Sequence, residues 1–473
     1  MISVNRASLH TIDLKTRMPF RFGIATLTEV KHAFLTVEAD IDGERVTGTA
    51  ADHLFPKWFT KDPEKTLDAE VNELLQVVRH AVSLALETEG PTLFAFWERL
   101  YDRQLEWGNR LDLEPLLSLF GVTLVERALL EALAKRRSST VGDLIRSNAL
   151  GIDLARTDPA LAGQEPAALL PATSLPSVSA RHTVGLTDPL IDADIPDDER
   201  LTDGLPHSLE ACIAAYGLAE FKIKVCGQLE QDVPRLRELA EVITRAAPSD
   251  FTFSLDGNEQ FGSCESFHAF WLEVVDDPRL RSFFEHVLFI EQPLSRKAAL
   301  ADDVAAMREW HGLPPVIIDE SDATVESTPR ALTLGYAGTS HKNCKGVLRG
   351  ILNRCLINHR ARENPGHRFL MSGEDLVNIG PVALLQDLEI QSILGNASVE
   401  RNGHHYIAGL SAFPVKTCAA LLKAHPDLYR RTEAGWPTLR IERGKLDLSS
   451  LHRAPFAVGF DLPLEEYEAV AVP

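Results

Sequence analysis

Apolar and polar residues alternate along the first 55 residues in the manner of half-buried strands. The segment 33–39 (AFLTVEA) shows this alternation, and Asp42 and Gly43 after it suit a tight hairpin turn. From about 63 to 136 the period changes to three and four residues, most clearly in VTLVERALLEALAK at 122–135, which is typical of helices. The pattern predicts an α+β domain over residues 1–150.

Beyond a segment rich in Pro, Ala and Gly at 151–176, short apolar runs alternate with stretches of helical period. Six runs predict strands at 221–225, 251–255, 287–290, 316–318, 338–342 and 369–371, and weaker ones lie at 180–185 and 398–406. Such alternation is typical of βαβ units around a parallel sheet. We expect a closed (β/α)8 TIM-type barrel over 177–410, with 411–473 packing back on the first domain. The alternative is an open doubly wound sheet, but no strand is followed by GxGxxG or GxxxxGK[ST].

Composition and charge narrow the class of protein. The 473 residues are 45% hydrophobic and 25% charged, which is ordinary for a globular protein. The formal net charge of −20 disfavours nucleic-acid binding, which needs a basic surface to displace counterions. The six cysteines are scattered, and no apolar run is long enough for a signal core or a bilayer span. We therefore expect a cytoplasmic protein without nucleic-acid or membrane partners. We also expect a homo-oligomer.

A charged residue stands at or just after the end of nearly every predicted barrel strand, on the face where such barrels carry their active sites. Lys222 and Lys224, in FKIKV, share a parity, so both side chains point the same way. Two lysines facing a barrel interior would repel, and each would lower the pKa of the other towards the range of a working base. The alternative is one snorkelling lysine and one surface lysine.

Three carboxylates follow three successive apolar runs: Asp256 in SLDGN, Glu291 in FIEQP and Asp319 in IIDES. A hard cation such as Mg²⁺ prefers oxygen ligands and takes few of them from protein, which leaves positions for substrate and water. The alternative for any single one is the capping of a following helix. Together the three predict a Mg²⁺ site.

The next run, GTSHKNCKG at 338–346, contributes Lys342. His341 has the opposite parity, so it faces the surrounding helices if Lys342 faces the barrel centre. We interpret His341 as structural and Lys342 as a candidate acid/base group.

These polar residues form an ordered set that resembles the enolase superfamily, specifically its mandelate racemase and muconate-lactonizing branch. The resemblance covers essentially the whole chain: RMPFRFG at 17–23 is similar to that family's capping domain, and VERALLEALAK at 125–135 to its helix before the barrel. The matching set is Lys222-x-Lys224, Asp256-x-Asn258, Glu291-Gln292-Pro293, Asp319-Glu320 and Lys342.

The resemblance implies a role for each residue of this set. Asp256, Glu291 and Asp319 would bind Mg²⁺. Lys224 would be the base on one face of a small carboxylate substrate, and Lys342 the acid/base group on the other.

The resemblance also implies supporting roles. Lys222 would tune the neighbouring lysine and steady the substrate carboxylate, while Asn258 and Glu320 would support the site from behind. Two features depart from the family pattern. A single glycine follows in Lys345-Gly346-Val347, so Lys345 is the alternative to Lys342, and the long interval before Glu291 predicts an insertion around 262–286.

Four further residues are candidate substrate contacts. Glu374 follows the seventh run, where helix capping is the alternative, and His404 lies in the predicted last strand. Arg21 and Trp58 lie in 19–23 (PFRFG) and 51–59 (ADHLFPKWF), whose aromatic and cationic residues, Lys57 among them, suit loops that close over the barrel mouth and set specificity. The alternative is that these aromatic residues only anchor the cap.

The reaction implied by the resemblance is removal of the proton next to a carboxylate, through an ene-diolate. With acid/base groups on both faces, the expected outcome is racemisation, epimerisation or cycloisomerisation. An acid-sugar dehydratase is the alternative, although that branch usually relies on a histidine where Lys342 stands. A binding or structural barrel that has kept these residues is a second alternative.

Overall fold

The computed structural model describes residues 1–22 and 25–473 of the chain. Its N-terminal part is an antiparallel sheet of β1 (Ile2–Phe22), β2 (Ala25–Ile41) and β3 (Glu44–Leu54). Asp42 and Gly43 have φ of 51° and 80°, the left-handed pair that a two-residue hairpin turn requires. The predicted meander and its turn therefore form.

Helices cover one face of this sheet: α1 (Leu67–Leu86), then α2 (Leu93–Arg110), α3 (Pro115–Arg137) and α4 (Val141–Arg146), with the short β4 (Glu89–Gly90) paired to β1. The backbone of α3 lies directly on β3. A Cβ on Gly48 would come within 2.0 Å of the Ala128 carbonyl oxygen, so only glycine allows this approach. Nearly every residue of α3 is buried. This N-terminal part of the chain is called the cap below.

Eight parallel strands close into a barrel, because the last strand pairs with the first. The predicted (β/α)8 barrel with an α+β capping domain is confirmed. The strands are β5 (Ser177–Val184), β6 (Glu220–Lys224), β7 (Thr252–Asp256), β8 (Val287–Glu291), β9 (Val316–Ile318), β10 (Gly338–His341), β11 (Leu370–Gly373) and β12 (Ser398–Arg401).

Helices surround the barrel, with a 3-10 helix at Asp302–Glu309 after β8. The predicted insertion at 262–286 contains two of these helices. Its residue Phe283 stacks on Phe253 of β7, with 4.4 Å between the ring centroids. The segment therefore packs on the outside of the barrel. The helices are α5 (Pro166–Leu169) in the connecting segment, α6 (Leu209–Tyr216), α7 (Leu229–Ala246), α8 (Cys264–Asp276), α9 (Arg281–Phe284), α10 (Ser327–Leu334), α11 (Val347–Glu363), α12 (Ala383–Leu394) and α13 (Gly403–Tyr406).

The C-terminal residues contact both parts of the molecule. After α14 (Val415–Ala424) come the paired β13 (Tyr429–Arg431) and β14 (Pro437–Leu439). Then β15 (Lys445–Asp447) adds to β5 of the barrel, and β16 (Glu468–Val470) adds to β1 of the cap. Within the described ranges, no helix has both the length and the apolar character that a bilayer span needs.

Candidate active site

The ends of five successive barrel strands bring five charged residues into one buried layer. Lys224, Asp256 and Glu291 are the last residues of β6, β7 and β8 and lie side by side in the strand register. Asp319 follows β9 directly, and Lys342 follows β10. All five side chains are buried, so their charges act through protein rather than through bulk water.

Lys224 and Lys342 stand on opposite sides of the barrel. One ends the second of the eight strands and the other follows the sixth, which is half of the way round. The three carboxylates come from the third, fourth and fifth strands, on the arc between the two lysines. A small molecule at the centre would therefore meet one lysine on each face.

Lys222 is surrounded by four carboxylates. Its Nζ lies 3.0 Å from Asp256 Oδ2, 2.8 Å from Glu291 Oε2, 2.7 Å from Glu374 Oε2 and 3.1 Å from Glu400 Oε2. Burial alone would lower the pKa of Lys222, but these carboxylates raise it well above its ordinary value. The prediction that a second lysine lowers this pKa is therefore wrong for Lys222, because the carboxylates outnumber the neighbouring ammonium group.

Lys224 is held by the loop that follows β7. Its Nζ donates to Asp256 Oδ2 at 2.9 Å and to Asn258 Oδ1 at 2.5 Å. The Asn258 side-chain amide donates to Glu320 Oε1 at 3.2 Å, which places both predicted supporting residues behind this lysine. Lys61 of the cap, which sequence reasoning missed, donates to the Asn258 carbonyl at 2.8 Å and so ties the cap to the same loop.

Lys342 lines the central cavity, whereas Lys345 does not. Lys342 Nζ forms an ion pair with Asp319 and lies 4.6 Å from the centroid of the Trp58 ring. Burial would lower the pKa of Lys342, but Asp319 raises it well above its ordinary value. Lys345 Nζ instead donates to the Asp319 carbonyl and to Ser340 Oγ, both at 3.1 Å. Of the two candidates, the structure brings Lys342 to the centre.

His341 points away from the centre, as its strand parity predicted. Its Nε2 lies 3.1 Å from Asn343 Oδ1, and its ring packs on α11, where a Cβ on Gly350 would come within 2.3 Å of Nδ1. Burial lowers the pKa of His341 to about 4. This neutral, enclosed ring supports the strand and does not face the site.

A small cavity of about 20 Å³ lies over the lysines, between the barrel and the cap. Aromatic side chains of the cap form its roof, and they exclude water from the polar floor. The floor includes the two cross-barrel lysines and residues from the strands on both sides of them. The lining residues are Phe20, Phe55, Trp58, Lys222, Lys224, Asp256, Asn258, Lys342, Asp375, Leu376, Glu400 and Asn402.

Sequence reasoning did not single out Glu400, although it lies in the floor. Besides its contact with Lys222, it accepts from Thr183 Oγ1 at 2.5 Å and from the Asp375 amide at 2.9 Å. Burial raises the pKa of Asp375 to about 6, with Glu400 adding to this shift and Arg401 opposing it. One signal in the sequence could have found it: Glu400 is an acidic residue in the last strand and has the same parity as Asn402.

Glu374, a predicted substrate contact, lies beneath the cavity and is not one of its lining residues. Its Oε2 accepts from Lys222 at 2.7 Å, and its Oε1 pairs with Arg181 of β5. Arg181 Nη2 also donates to Ser372 Oγ at 2.8 Å. Glu374 and Arg181 thus form a buried support under Lys222.

Arg21 and Lys57 do not reach the cavity. Arg21 is exposed, whereas its neighbour Phe20 lines the cavity; Gly23, in the same predicted segment, lies outside the described residues. Lys57 is buried in the cap, where its Nζ donates to the Asp62 carbonyl at 2.6 Å. Of the two predicted cap segments, Phe20, Phe55 and Trp58 line the cavity.

His404 lies outside the cavity as well. The last barrel strand ends at Arg401, not near 406 as predicted, because Gly403 begins the helical turn α13. This turn carries the buried His404 ring against Tyr216, with ring centroids 5.3 Å apart. Alternation along a strand therefore does not apply to His404 and His405.

The donor set of the three strand-end carboxylates fits Mg²⁺. Glu291 Oε1 is buried and has no hydrogen-bond partner among the described residues, which is costly for a carboxylate unless a cation meets it. Burial, followed by the charge of Asp256, raises the pKa of Glu291 well above its ordinary value. In this structure the three carboxylates pair with ammonium groups. Asp256 and Glu291 pair with Lys222, and Asp319 pairs with Lys342.

The fold and this site define a class of protein: a capped (β/α)8 barrel with two lysines facing each other across buried carboxylates. Solved structures of the mandelate racemase and muconate-lactonizing superfamily share this fold. The resemblance seen in the sequence is thereby confirmed in the fold.

Three of these structures show the extent of the likeness. A 2-chloromuconate cycloisomerase from Rhodococcus opacus is 15% identical, with a TM-score of 0.62 over 98% of this chain and 99% of that one. An N-succinyl Arg/Lys racemase from Bacillus cereus is 16% identical, with a TM-score of 0.55 over 85% and 87%. An enolase from Bradyrhizobium, complexed with magnesium and mandelic acid, is 15% identical, with a TM-score of 0.55 over 94% and 93%. No family model matches the chain, and no curated protein matches it in sequence.

Proposed function

We propose that the protein is a Mg²⁺-dependent isomerase of the enolase superfamily that removes the α-proton of a small carboxylate. The observation that carries the proposal is the placement of Lys224 and Lys342 half of the barrel apart, with Asp256, Glu291 and Asp319 between them. A racemase and a cycloisomerase of the same fold support this kind of reaction. The proposed partner is the small-molecule substrate itself.

Binding of the substrate carboxylate would require positive charge in addition to Lys222, which already pairs with four carboxylates. Lys222 is an ammonium group, because its pKa is raised well above the ordinary value by the carboxylates around it, against the effect of burial. Asp256, Glu291 and Asp319 would hold Mg²⁺, which supplies charge that stabilises the ene-diolate formed when the α-proton leaves.

The proton moves between the substrate and the two cross-barrel lysines. Lys224 Nζ would take the α-proton from one face. Lys342 Nζ, which is charged in its pairing with Asp319, would donate a proton to the opposite face. For the other enantiomer the two roles exchange, as microscopic reversibility requires.

Water is kept from the reacting carbon by the cap. Trp58 is 3% exposed and Phe20 is also 3% exposed, and both line the cavity. An intermediate in such an enclosed site is protonated by the positioned lysine and not by solvent.

The site favours an isomerase over an acid-sugar dehydratase. The dehydratase branch relies on a histidine as its second acid/base group, and His341, the nearest histidine to Lys342 in sequence, packs against α11. A lysine on each face suits racemisation, epimerisation or cycloisomerisation.

The experiment is α-proton exchange in D₂O. The protein is incubated with Mg²⁺ and a panel of chiral carboxylic acids, including N-acylated amino acids and mandelate, and loss of the α-proton signal is followed by NMR. Exchange with inversion supports a racemase or epimerase. A binding protein would give no exchange on any acid that it is shown to bind by calorimetry.

A further inference from the structure

Three metal-binding side chains meet outside the active site, where the mechanism does not use them. His182 comes from β5, Cys212 from α6 and His405 from α13, and their ligand atoms lie within 4.8 Å of one another. In the described part of the chain, no other group of three or more His, Cys, Asp or Glu residues is so close. All three side chains are at most 2% exposed.

The distance between two of the ligand atoms matches the distance between two ligands of a tetrahedral zinc ion. Cys212 Sγ lies 3.6 Å from His405 Nδ1. With Zn–S and Zn–N bonds of about 2.3 and 2.05 Å, two ligands at the tetrahedral angle lie about 3.6 Å apart. The pair thus already has the separation that a shared ion imposes, and a ligand atom of His182 lies within 4.8 Å of both.

One ring nitrogen of the cluster, and two beside it, lack hydrogen-bond partners. His182 Nδ1 is buried and has no hydrogen-bond partner among the described residues, and the same is true of both ring nitrogens of the adjacent His404. Buried polar groups are normally paired. Unpaired imidazole nitrogens beside a thiol therefore point to a ligand.

The protonation states suit a metal. Burial lowers the pKa of His182 to about 4, and burial with the neighbouring histidines and Arg17 lowers that of His405 well below its ordinary value. The lowered pKa values favour the neutral ring, which is the form that binds metal. Burial raises the pKa of Cys212, so the thiol keeps its proton until an ion displaces it.

The ring nitrogen of His405 that faces away from the thiol approaches a carboxylate. His405 Nε2 lies 4.0 Å from Asp188 Oδ2, beyond hydrogen-bond distance, and that oxygen accepts from the Tyr406 hydroxyl and the Gly185 amide. A carboxylate behind a histidine is the usual support of a ligand in zinc sites.

We infer that His182, Cys212 and His405 bind a zinc-like divalent cation at a site separate from the strand-end carboxylates. Imidazole and thiolate donors select Zn²⁺ or Co²⁺ over Mg²⁺, which prefers oxygen. The inference does not depend on the proposed reaction.

An ion at this site would join elements that lie near the contact between the cap and the barrel. His405 lies in the turn that follows Glu400 and Asn402, both of which line the cavity. In the same turn, the Tyr406 ring lies 4.2 Å from the ring of Phe20 in the cap. An ion would therefore fix this turn to β5 and α6, beneath the contact between cap and barrel.

The test uses Co²⁺ as the probe on the full chain. The protein is stripped with a chelator and titrated with Co²⁺ in excess Mg²⁺, and thiolate-to-cobalt charge transfer is followed in the near ultraviolet. We expect one Co²⁺ per chain with this absorption, displaced by Zn²⁺. Cys212→Ser should abolish the band, His405→Gln should weaken Co²⁺ affinity at least about tenfold, and Cys355→Ser, at a buried cysteine in α11, should change neither.

Two results would overturn the inference. One is a folded wild-type protein that gives no thiolate band at stoichiometric Co²⁺. The other is a band that survives in Cys212→Ser or disappears in Cys355→Ser, since the thiolate would then come from elsewhere. If Cys212→Ser does not fold by circular dichroism, unchanged Co²⁺ affinity in His405→Gln is sufficient to reject the site.

Discussion

The ammonium group of Lys342 lies 4.6 Å from the centroid of the Trp58 ring. This contact joins a barrel strand end to the cap, because Trp58 follows the third strand of the cap sheet. An aromatic face attracts a cation and also excludes water from it. The cap therefore takes part in the environment of the acid/base group as well as covering it.

Replacing Trp58 tests whether the cap shapes the substrate site. Trp58→Ala removes the ring over Lys342, and we expect KM to rise about tenfold, with a smaller effect on exchange at saturating substrate. Steady-state kinetics on the best acid measure this change. Trp310→Ala is the control, since Trp310 stacks on His268 away from the cavity. If KM and selectivity stayed as in the wild type and only thermal stability fell, Trp58 would be an anchor of the cap.

Removing the metal tests the carboxylate site. A chelator should abolish exchange and Mg²⁺ should restore it, because Asp256, Glu291 and Asp319 supply an all-oxygen donor set. Asp256→Asn and Glu291→Gln should each lower Mg²⁺ affinity at least about tenfold, by calorimetric titration, without unfolding the barrel rim. Glu285→Gln, at an exposed residue, is the control. Unchanged affinity in both variants would exclude these residues as ligands.

Lys345 is predicted to be a structural residue. Its Nζ donates to the Asp319 carbonyl and pairs with Asp322 at 3.1 Å, so Lys345→Met removes the ion-pair partner of a buried carboxylate. We expect a loss of about 3 kcal/mol in the free energy of unfolding, with α-proton exchange retained in the folded fraction. Denaturant unfolding measures the first and NMR the second. A stable Lys345→Met protein without exchange would reverse the roles of the two lysines.

Stability should fall as the pH is lowered from 7 to 5. Burial lowers the pKa of His53, His182 and His341 to about 4, whereas in the unfolded chain it is about 6.5. Their contribution is full above the unfolded value and is lost as the pH falls towards 4, by about 2 kcal/mol per histidine between pH 7 and 5. Glu126 and Asp375, whose pKa values burial raises to about 7 and 6, act in the opposite direction and reduce this loss. Urea unfolding in metal-free buffer that shows equal or higher stability at pH 5 would contradict this balance.

Local rules predicted the strand-end residues well. Lys224, Asp256 and Glu291 each follow an apolar run and end their strands, on the face where such barrels carry their active sites. His341 and Lys342 point in opposite directions because side chains alternate along extended backbone. These features depend on only a few neighbouring residues.

Contacts that depend on closure of the barrel could not be predicted from these local rules. Glu400 contacts Lys222 only because the last strand pairs with the first, and the pKa of Lys222 depends on how many carboxylates the closed barrel brings to it. Lys61 reaches Asn258 only because the cap docks on the barrel. Such contacts join residues far apart in sequence, and strand patterning carries no information about them.

The most direct test of the proposed reaction compares Lys224→Ala and Lys342→Ala on the two enantiomers of one exchangeable acid in D₂O. With one lysine on each face, Lys224→Ala should lose exchange of one enantiomer by at least about 100-fold, and Lys342→Ala should do the same for the other. Both variants should keep their fold by circular dichroism. If each variant slowed both enantiomers equally, or if Lys342→Ala left both rates intact, the two-sided arrangement of acid/base groups would be contradicted.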